Sequence, residues 1–347
     1  MKNKKRLNIV YKTSINRITG LERDGLILQN LLQDTYHINL YKVTERRMLR
    51  KFGLPQYLPS KIKTYLKTRL KKFDANIFLE KIRPELFHIA DRNIFIPNHE
   101  IFAKQTVPLL QEIDVVLCKT KCAYKIFSDL HHCVKFIGFT SIDRSLPTFQ
   151  SDYNQYFHLA GKSFERRGTY QILELWKENP HFPPLTVVAH HIDSTRYNGY
   201  RNIRIYDDYV DDEIIRQLQN KIGVHICLSE AEGFGHFIVE AMSSHACVIT
   251  TDAPPMNELV NPERGYLVSV DREEAVEKYF NNRYFFCIKD FQKTIDKLTS
   301  NSLQEKQTKG QLSRKFYEEN NLTFQVKLLQ SLESILSSST KATCQLS

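Results

Sequence analysis

A chain of 347 residues is long for one hydrophobic core, and 41% hydrophobic with 25% charged residues is the composition of a folded protein with apolar material for two domains, which sets disorder aside except at the ends. A formal charge of +10 favours anionic partners (phosphorylated ligands, acidic headgroups or nucleic acid) without choosing among them. No window approaches the ~20 continuous apolar residues of a membrane span, and the basic start MKNKKRLNIVYKTS lacks a signal peptide's apolar stretch; a cytoplasmic protein, or one peripheral on the cytosolic face of a membrane, is expected.

In chain order, the first half alternates β-rich runs with helical stretches: LNIVY at 7–11, a helix near 23–33, HINLYKV at 37–43, NIFLEKI at 76–82, NIFIP at 93–97, DVVLCKT at 114–120 and CVKFIGF at 133–139. The second half repeats the pattern with YFHLAG at 156–161, a helix near 168–178, LTVVAH at 185–190, NIRIY at 202–206, a helix at 212–221, VHICLS at 224–229, a helix at 236–245, ACVITT at 246–251 and GYLVSV at 265–270. Such alternation predicts parallel strands with crossover helices: an α/β fold of two Rossmann-like doubly wound domains, which implies a cleft. The polar, proline-containing stretch 144–155 suits the connection, giving domains at 1–148 and 149–335. From about 273 the chain reads as mostly helical, with a polar, frayed tail over 336–347.

Seven cysteines, at 118, 122, 133, 227, 247, 287 and 344, show no paired CxxC spacing and read as reduced thiols, mostly in the core. A zinc site from Cys118, Cys122, His131, His132 and Cys133 is conceivable, but Cys118 falls in a buried-strand pattern.

The chemistry concentrates in SEAEGFGHFIVEAMSSHACVITTDAPPMNELV at 229–260. VHICLSE ends a buried strand and FIVEAM has the apolar character of a helix packed on a sheet, so EGFG lies at the carboxyl edge, where open α/β sheets bind ligands. Gly233 and Gly235 allow a tight turn, and the helix start near His236 to Ile238 offers N–H groups to a diphosphate. Carboxylates beside an anion site make sense if they accept hydrogen bonds from sugar hydroxyls, and Glu232 and Glu240 sit where they reach different parts of one elongated ligand. Read singly, either could equally be a helix-end charge or a solvent-facing residue.

This segment resembles the retaining glycosyltransferases of family 4, with the GT-B architecture: the E-x7-E signature stands here as Glu232 and Glu240 in EGFGHFIVEAMS, followed by CVITTDAPPMNELV. The resemblance implies that Glu232 lies near the transferred sugar and Glu240 near the nucleotide ribose, with Gly233, Phe234, Gly235, His236 and Phe237 forming the donor loop. HLAGKSFERRG resembles the family's basic pair after the first donor-domain strand; Gly161, Lys162 and Arg167 match it, and the two cations would neutralise the departing diphosphate. Lysine at 162 keeps the charge but lacks the arginine fork. The resemblance also places the base near Tyr209 and Val210. Where the family often has two glycines, this chain has Ala253-Pro254-Pro255-Met256, and Pro255 has no N–H to give a phosphate.

In the first half, Thr19-Gly20 resembles the family's glycine-containing loop, or is an ordinary strand-to-helix turn. IPNHE puts His99 after a strand, either touching the transferred sugar or acceptor or as a plain surface histidine. Positions 46–73 carry ten basic and no acidic residues, and Ser60 to Phe73 can form an amphipathic helix that sits on an anionic membrane, packs on the core or binds phosphate.

The implied function is transfer of a sugar from a nucleotide-sugar donor, UDP- or GDP-linked, to a glycan or lipid acceptor, with retention, no cofactor and no catalytic metal; the catalytic candidates are His99, Lys162, Arg167 and Glu232. The alternatives are a GT-B-like nucleotide-sugar epimerase and a non-catalytic binder of sugar or nucleic acid. Nucleic acid is disfavoured because aromatic residues do not cluster with the basic run as stacking platforms would.

Overall fold

The computed structural model describes residues 4–13, 20–44 and 72–338. Two compact units divide the chain: Met1–Ser141 with Glu277–Phe280 and Leu322–Ser347, and Ile142–Val276 with Asn281–Asn321. Where the sequence reading has one boundary at 148/149 and a second domain running to 335, the chain instead divides at 141/142 and its last segment returns to the first unit. Phe324, Leu328, Leu332 and Ile335, one helical turn apart, are buried there, so this helix face belongs to the first unit's core.

Among the described residues the first unit holds six strands, β1 (Arg6–Thr13), β2 (His37–Thr44), β3 (Phe73–Leu79), β4 (Ala90–Ile96), β5 (Val115–Cys118) and β6 (Val134–Phe136), in the order β2-β1-β3-β4-β5-β6 with every pairing parallel. Their apolar runs are buried because helices cover such sheets on both faces. Register is fixed by a row of asparagines: Asn39 donates to Asn8 (2.7 Å), Asn8 to Asn76 (2.8 Å) and Asn76 to Asn93 (2.9 Å). A one-residue slip would break every amide bond in the row and leave its polar groups unpaired in the interior.

Helix α1 (Gly20–Leu32) follows β1, and α2 (Lys121–Ser128) follows β5, its N-terminus capped by Thr120 Oγ1, which accepts the Ala123 N–H at 3.0 Å. Phe95, Phe102 and Phe127 form the core on one face, and Phe280, from the short segment counted with this unit, stacks on Phe102. The basic stretch proposed for membrane or phosphate contact lies outside the described residues over 45–71. Phe73, assigned to its amphipathic helix, is instead a buried strand residue opening β3.

The second unit carries β7 (Asp152–Gly161), β8 (Leu185–Ala189), β9 (Ile203–Tyr206), β10 (Ile222–Cys227), β11 (Cys247–Thr251) and β12 (Gly265–Val268), ordered β9-β8-β7-β10-β11-β12 and all parallel. This is the Rossmann order, whose direction of winding reverses between the first and fourth strands of the set, β7 and β10. Helices α3 (Thr169–Glu178), α4 (Asp212–Lys221), α5 (His236–Ser243), α6 (Met256–Leu259), α7 (Ile288–Ser300) and α8 (Leu303–Ser337) follow, the last shared between the units. Trp176 of α3, fully buried, donates its indole N–H to the Pro183 carbonyl at 2.7 Å and meets Tyr156, Phe182 and Phe291.

From 273 the chain is mostly helical, through α7 and α8, but the helical part starts later than expected. Strands β13 (Val270–Val276) and β14 (Asn281–Phe286) pair antiparallel, and helix begins at Ile288. DREEAVEK has a helical composition, but β-preferring Tyr284, Phe285 and Phe286 pair across it, and Phe286 packs on the core, so tertiary contact overrides propensity.

The zinc reading fails on side-chain chemistry. His131 uses both ring nitrogens on the backbone, Nε2 donating to the Ile113 carbonyl (3.0 Å) and Nδ1 accepting the Cys133 N–H (3.1 Å). Among the described residues no group of three or more His, Cys, Asp or Glu could hold a metal ion, and no helix is long and apolar enough to cross a membrane.

Candidate functional site

At the winding reversal of the second sheet, two loops leave the carboxyl ends of adjacent strands. The first follows β7. Gly161 closes that strand, Lys162 stands exposed, and a turn tied by the Arg167 N–H to the Ser163 carbonyl (3.1 Å) leads to Gly168, which caps α3 with φ +63°. A side chain at 168 would start 2.3 Å from the Phe286 ring, so both the backbone conformation and the space demand glycine.

Arg167 turns back under its own loop. Nη1 donates to the Leu159 carbonyl at 2.5 Å, and the guanidinium lies 3.9 Å above the centroid of Phe237. Its Nε is buried without a hydrogen-bond partner. Beneath it, His158 links the strands: Nδ1 donates to the Ile226 carbonyl (2.8 Å), and Nε2 accepts the Thr169 hydroxyl (2.9 Å). Complete burial holds the His158 pKa down to about 4, so the ring is neutral and serves as a fixed strut.

The second loop follows β10. The Ser229 backbone exchanges hydrogen bonds with Thr251 Oγ1 at the end of β11, which accepts from its N–H (3.2 Å) and donates to its carbonyl (2.9 Å). Ser229 Oγ then donates to Glu232 Oε1 at 2.8 Å, aiming that half-buried carboxylate. Gly233 and Phe234 are buried, and Gly235 caps α5 at φ +104°. A glycine at this cap supplies no side-chain oxygen to close off the first-turn amides, the arrangement that suits an external anion. The helix behind it is buried from Phe237 to Ser243, with Glu240 3% exposed.

Cys227, the last residue of β10, reports how these groups converge. Burial pushes its thiol well up; Arg167 pulls it down while Glu232 and Glu240 push it up. One buried sulfur thus feels the charges of Arg167 after β7, of Glu232 in the loop after β10 and of Glu240 in α5.

Lys162 stands toward β8, where burial first and Lys162 second lower the pKa of His190. Tyr209, 76% exposed, lies 6.4 Å from the His190 ring, whereas Val210 packs inward against Phe157, Val188 and Ile222. The Val210 side chain is therefore core, leaving only its backbone to face a ligand. Past β11, the Asn257 amide donates to Asp252 at 3.0 Å.

In the first unit, Gly20 opens α1, and Thr19 lies outside the described residues. His99 is 2% exposed, not a surface histidine: Nε2 meets Cys122 Sγ at 3.7 Å, Nδ1 is buried without a partner, and burial takes its pKa down to about 4. Nearby is a group that the sequence reading missed. Lys119 after β5 bonds Asp24 of α1 (2.5 Å) and Asn98 (2.9 Å), and Asn98 reaches Glu80, whose pKa burial raises. Glu230 and Arg283 also lie outside the sequence-predicted set: Glu230 is visible in SEAEGFG, but Arg283 carries no sequence signal until β13 and β14 are paired.

Residues 201–282 match the model of the family described as glycosyl transferases group 1. No curated protein sequence matches the chain. Among solved structures, a glycosyltransferase from Rickettsia africae ESF-5 is similar with TM-score 0.69 at 14% identity, covering 97% of this chain and 100% of that one. Anabaena HepE in complex with UDP and glucose gives TM-score 0.68 at 14% identity, over 95% and 100%. Sucrose-phosphate synthase from Thermosynechococcus elongatus gives 0.69 at 12%, over 97% and 100%. The chain has the GT-B fold of these structures, two Rossmann-like α/β domains.

Proposed function

From the GT-B fold and a segment matching glycosyl transferases group 1, we propose that this protein transfers a sugar from a nucleotide-sugar donor, UDP- or GDP-linked, to a glycan or lipid acceptor, with retention. The observation that carries this reading is the glycine-capped helix at the reversal between β7 and β10, with the Arg167 guanidinium 3.9 Å above the Phe237 ring of its first turn, Glu232 held by Ser229 in the loop before it and Glu240 buried within it.

In this reading Glu240 accepts hydrogen bonds from the ribose and Glu232 from the sugar, while Lys162, Arg167 and the first-turn amides of α5 meet the diphosphate. The bond from the sugar's anomeric carbon to the phosphate oxygen breaks with its electron pair leaving on the phosphate. The acceptor hydroxyl attacks from the same face, and its proton passes to the departing phosphate oxygen. Stabilising that developing charge is the protein's main task, which fits fixed cations and amides better than a mobile base. The first unit, with His99 at its sheet edge, is the acceptor-side domain. Chemistry of this kind needs no metal where side chains and amides neutralise the phosphates.

The test is a thermal-shift screen of UDP-, GDP- and ADP-sugars on the parent and on Glu240→Ala. A donor stabilises the parent and loses that effect in the variant. If no nucleotide sugar shifts the parent, the donor assignment is wrong. Steady release of nucleoside diphosphate with an acceptor separates a transferase from a binder.

A further inference from the structure

We infer that the β13–β14 hairpin is a positioning device for the donor loops, acting through the Arg283–Glu230 pair; this rests on the donor reading given above. Glu230 precedes Glu232 by two residues and is bonded through its N–H, its carbonyl and one carboxylate oxygen. Its N–H donates to the Arg166 carbonyl at 2.9 Å, its carbonyl accepts the Tyr284 N–H at 2.8 Å, and its Oε2 accepts from both Nε (2.8 Å) and Nη2 of Arg283. One residue therefore ties together the loop bearing Lys162 and Arg167, the loop bearing Glu232, and the hairpin.

The pairing is selective. Arg283 stands opposite Glu274 in the antiparallel register, yet Glu274 is paired with Arg272, and Arg283 turns to Glu230. The Glu230 side chain is only 10% exposed, so removal of the guanidinium would leave a nearly buried carboxylate without its fork and drive the loop to rearrange. The hairpin is anchored on the same side by Phe286, which fills the space that glycine leaves at 168, and by the Cys287 N–H on the Ser269 carbonyl at 2.8 Å. The spacing between the cationic loop and the acidic loop is thus set by an arginine that need not touch the ligand.

The experiment measures initial rates with whichever of the UDP-, GDP- and ADP-sugars stabilises the parent in the thermal-shift screen, and titrates UDP, GDP and ADP by calorimetry, on the full chain and on Arg283→Ala, Arg283→Lys, Lys289→Ala and the exchange Glu230→Arg/Arg283→Glu. Loss of a charge-assisted fork predicts a donor KM and nucleotide Kd about ten-fold higher in Arg283→Ala and about three-fold higher in Arg283→Lys, with acceptor KM unchanged. The exchange should recover at least part of the loss, and Lys289→Ala, which removes a nearby positive charge outside the pair, should match the parent. If Arg283→Ala does not fold, Arg283→Lys decides. A lowered melting temperature with unchanged donor KM and Kd makes the pair merely structural and overturns the inference. A parent that binds none of the nucleotides defeats the donor reading instead, and this inference falls with it.

Discussion

The guanidinium of Arg167 lies over the Phe237 ring, 3.9 Å from its centroid, so the cation of the first loop is seated on the first turn of the helix that follows the second. A positive charge held against an aromatic face, with Nη1 on the Leu159 carbonyl, cannot swing freely. Arg167→Lys keeps the charge but loses the planar stack and the fork, and kcat/KM should fall about a hundred-fold. Phe237→Leu keeps the charge and loses only its seat, with a drop of a few fold. Steady-state kinetics decide; an Arg167→Lys protein as active as the parent removes this residue from the diphosphate.

Gly168 and Gly235 both sit at positive φ, but only Gly168 also faces a ring at 2.3 Å; the nearest atoms to a side chain at 235 are 3.2 Å away on Ile238 and Leu259. Gly235→Ala should destabilise by about 1–2 kcal/mol from backbone strain, and Gly168→Ala by more. Phe286→Leu in the Gly168→Ala background should restore part of the loss by clearing the ring edge. Urea unfolding of the two single variants and the pair checks this, and additive losses would show that the ring is not what glycine accommodates.

Three buried histidines, His99, His158 and His225, have pKa values pushed down by burial from 6.5 to about 4. Between those values the unfolded chain binds more protons than the folded one, so stability is fully present above pH 6.5 and falls as pH drops toward 4. Each site contributes up to about 3 kcal/mol over that window. The midpoint of urea unfolding should therefore drop steeply between pH 6.5 and 4.5. A flat profile would mean that these rings are reached by water.

Metal independence of the proposed transfer is tested directly. Turnover should survive EDTA, because Lys162, Arg167 and helix amides carry the diphosphate in this mechanism. Loss of turnover restored by magnesium or manganese would require a cation there instead.

Much of the fold was written in local pattern. The runs around Ile9, Ile77, Phe95 and Val116 gave the first sheet's central strands because strands covered on both faces are continuously apolar. The glycine-rich turn into α5 is equally plain, since Glu232, Gly235 and Glu240 lie within nine residues. What escaped depends on partners distant in the chain. Arg283 acquires its meaning only from Glu230, which lies 53 residues earlier, and the strand character of 270–286 only from its pairing. Val210 was assigned to the base, yet its side chain joins a core cluster that no local pattern specifies. His99 looked exposed because it follows a strand, whereas the short 3-10 turn His99–Ile101 carries it inward.

Helix α8 is shared along its length, with Phe324 closing on Phe139 at 4.8 Å between ring centroids. During synthesis the first unit's sheet leaves the ribosome before the second unit, yet the helix side chains that complete its interior are made only after the second unit. It must wait, partly assembled, while the whole second unit is translated. A fragment ending at residue 141 should expose that unfilled apolar seam and aggregate, and supplying 322–338 as a separate peptide should rescue its solubility.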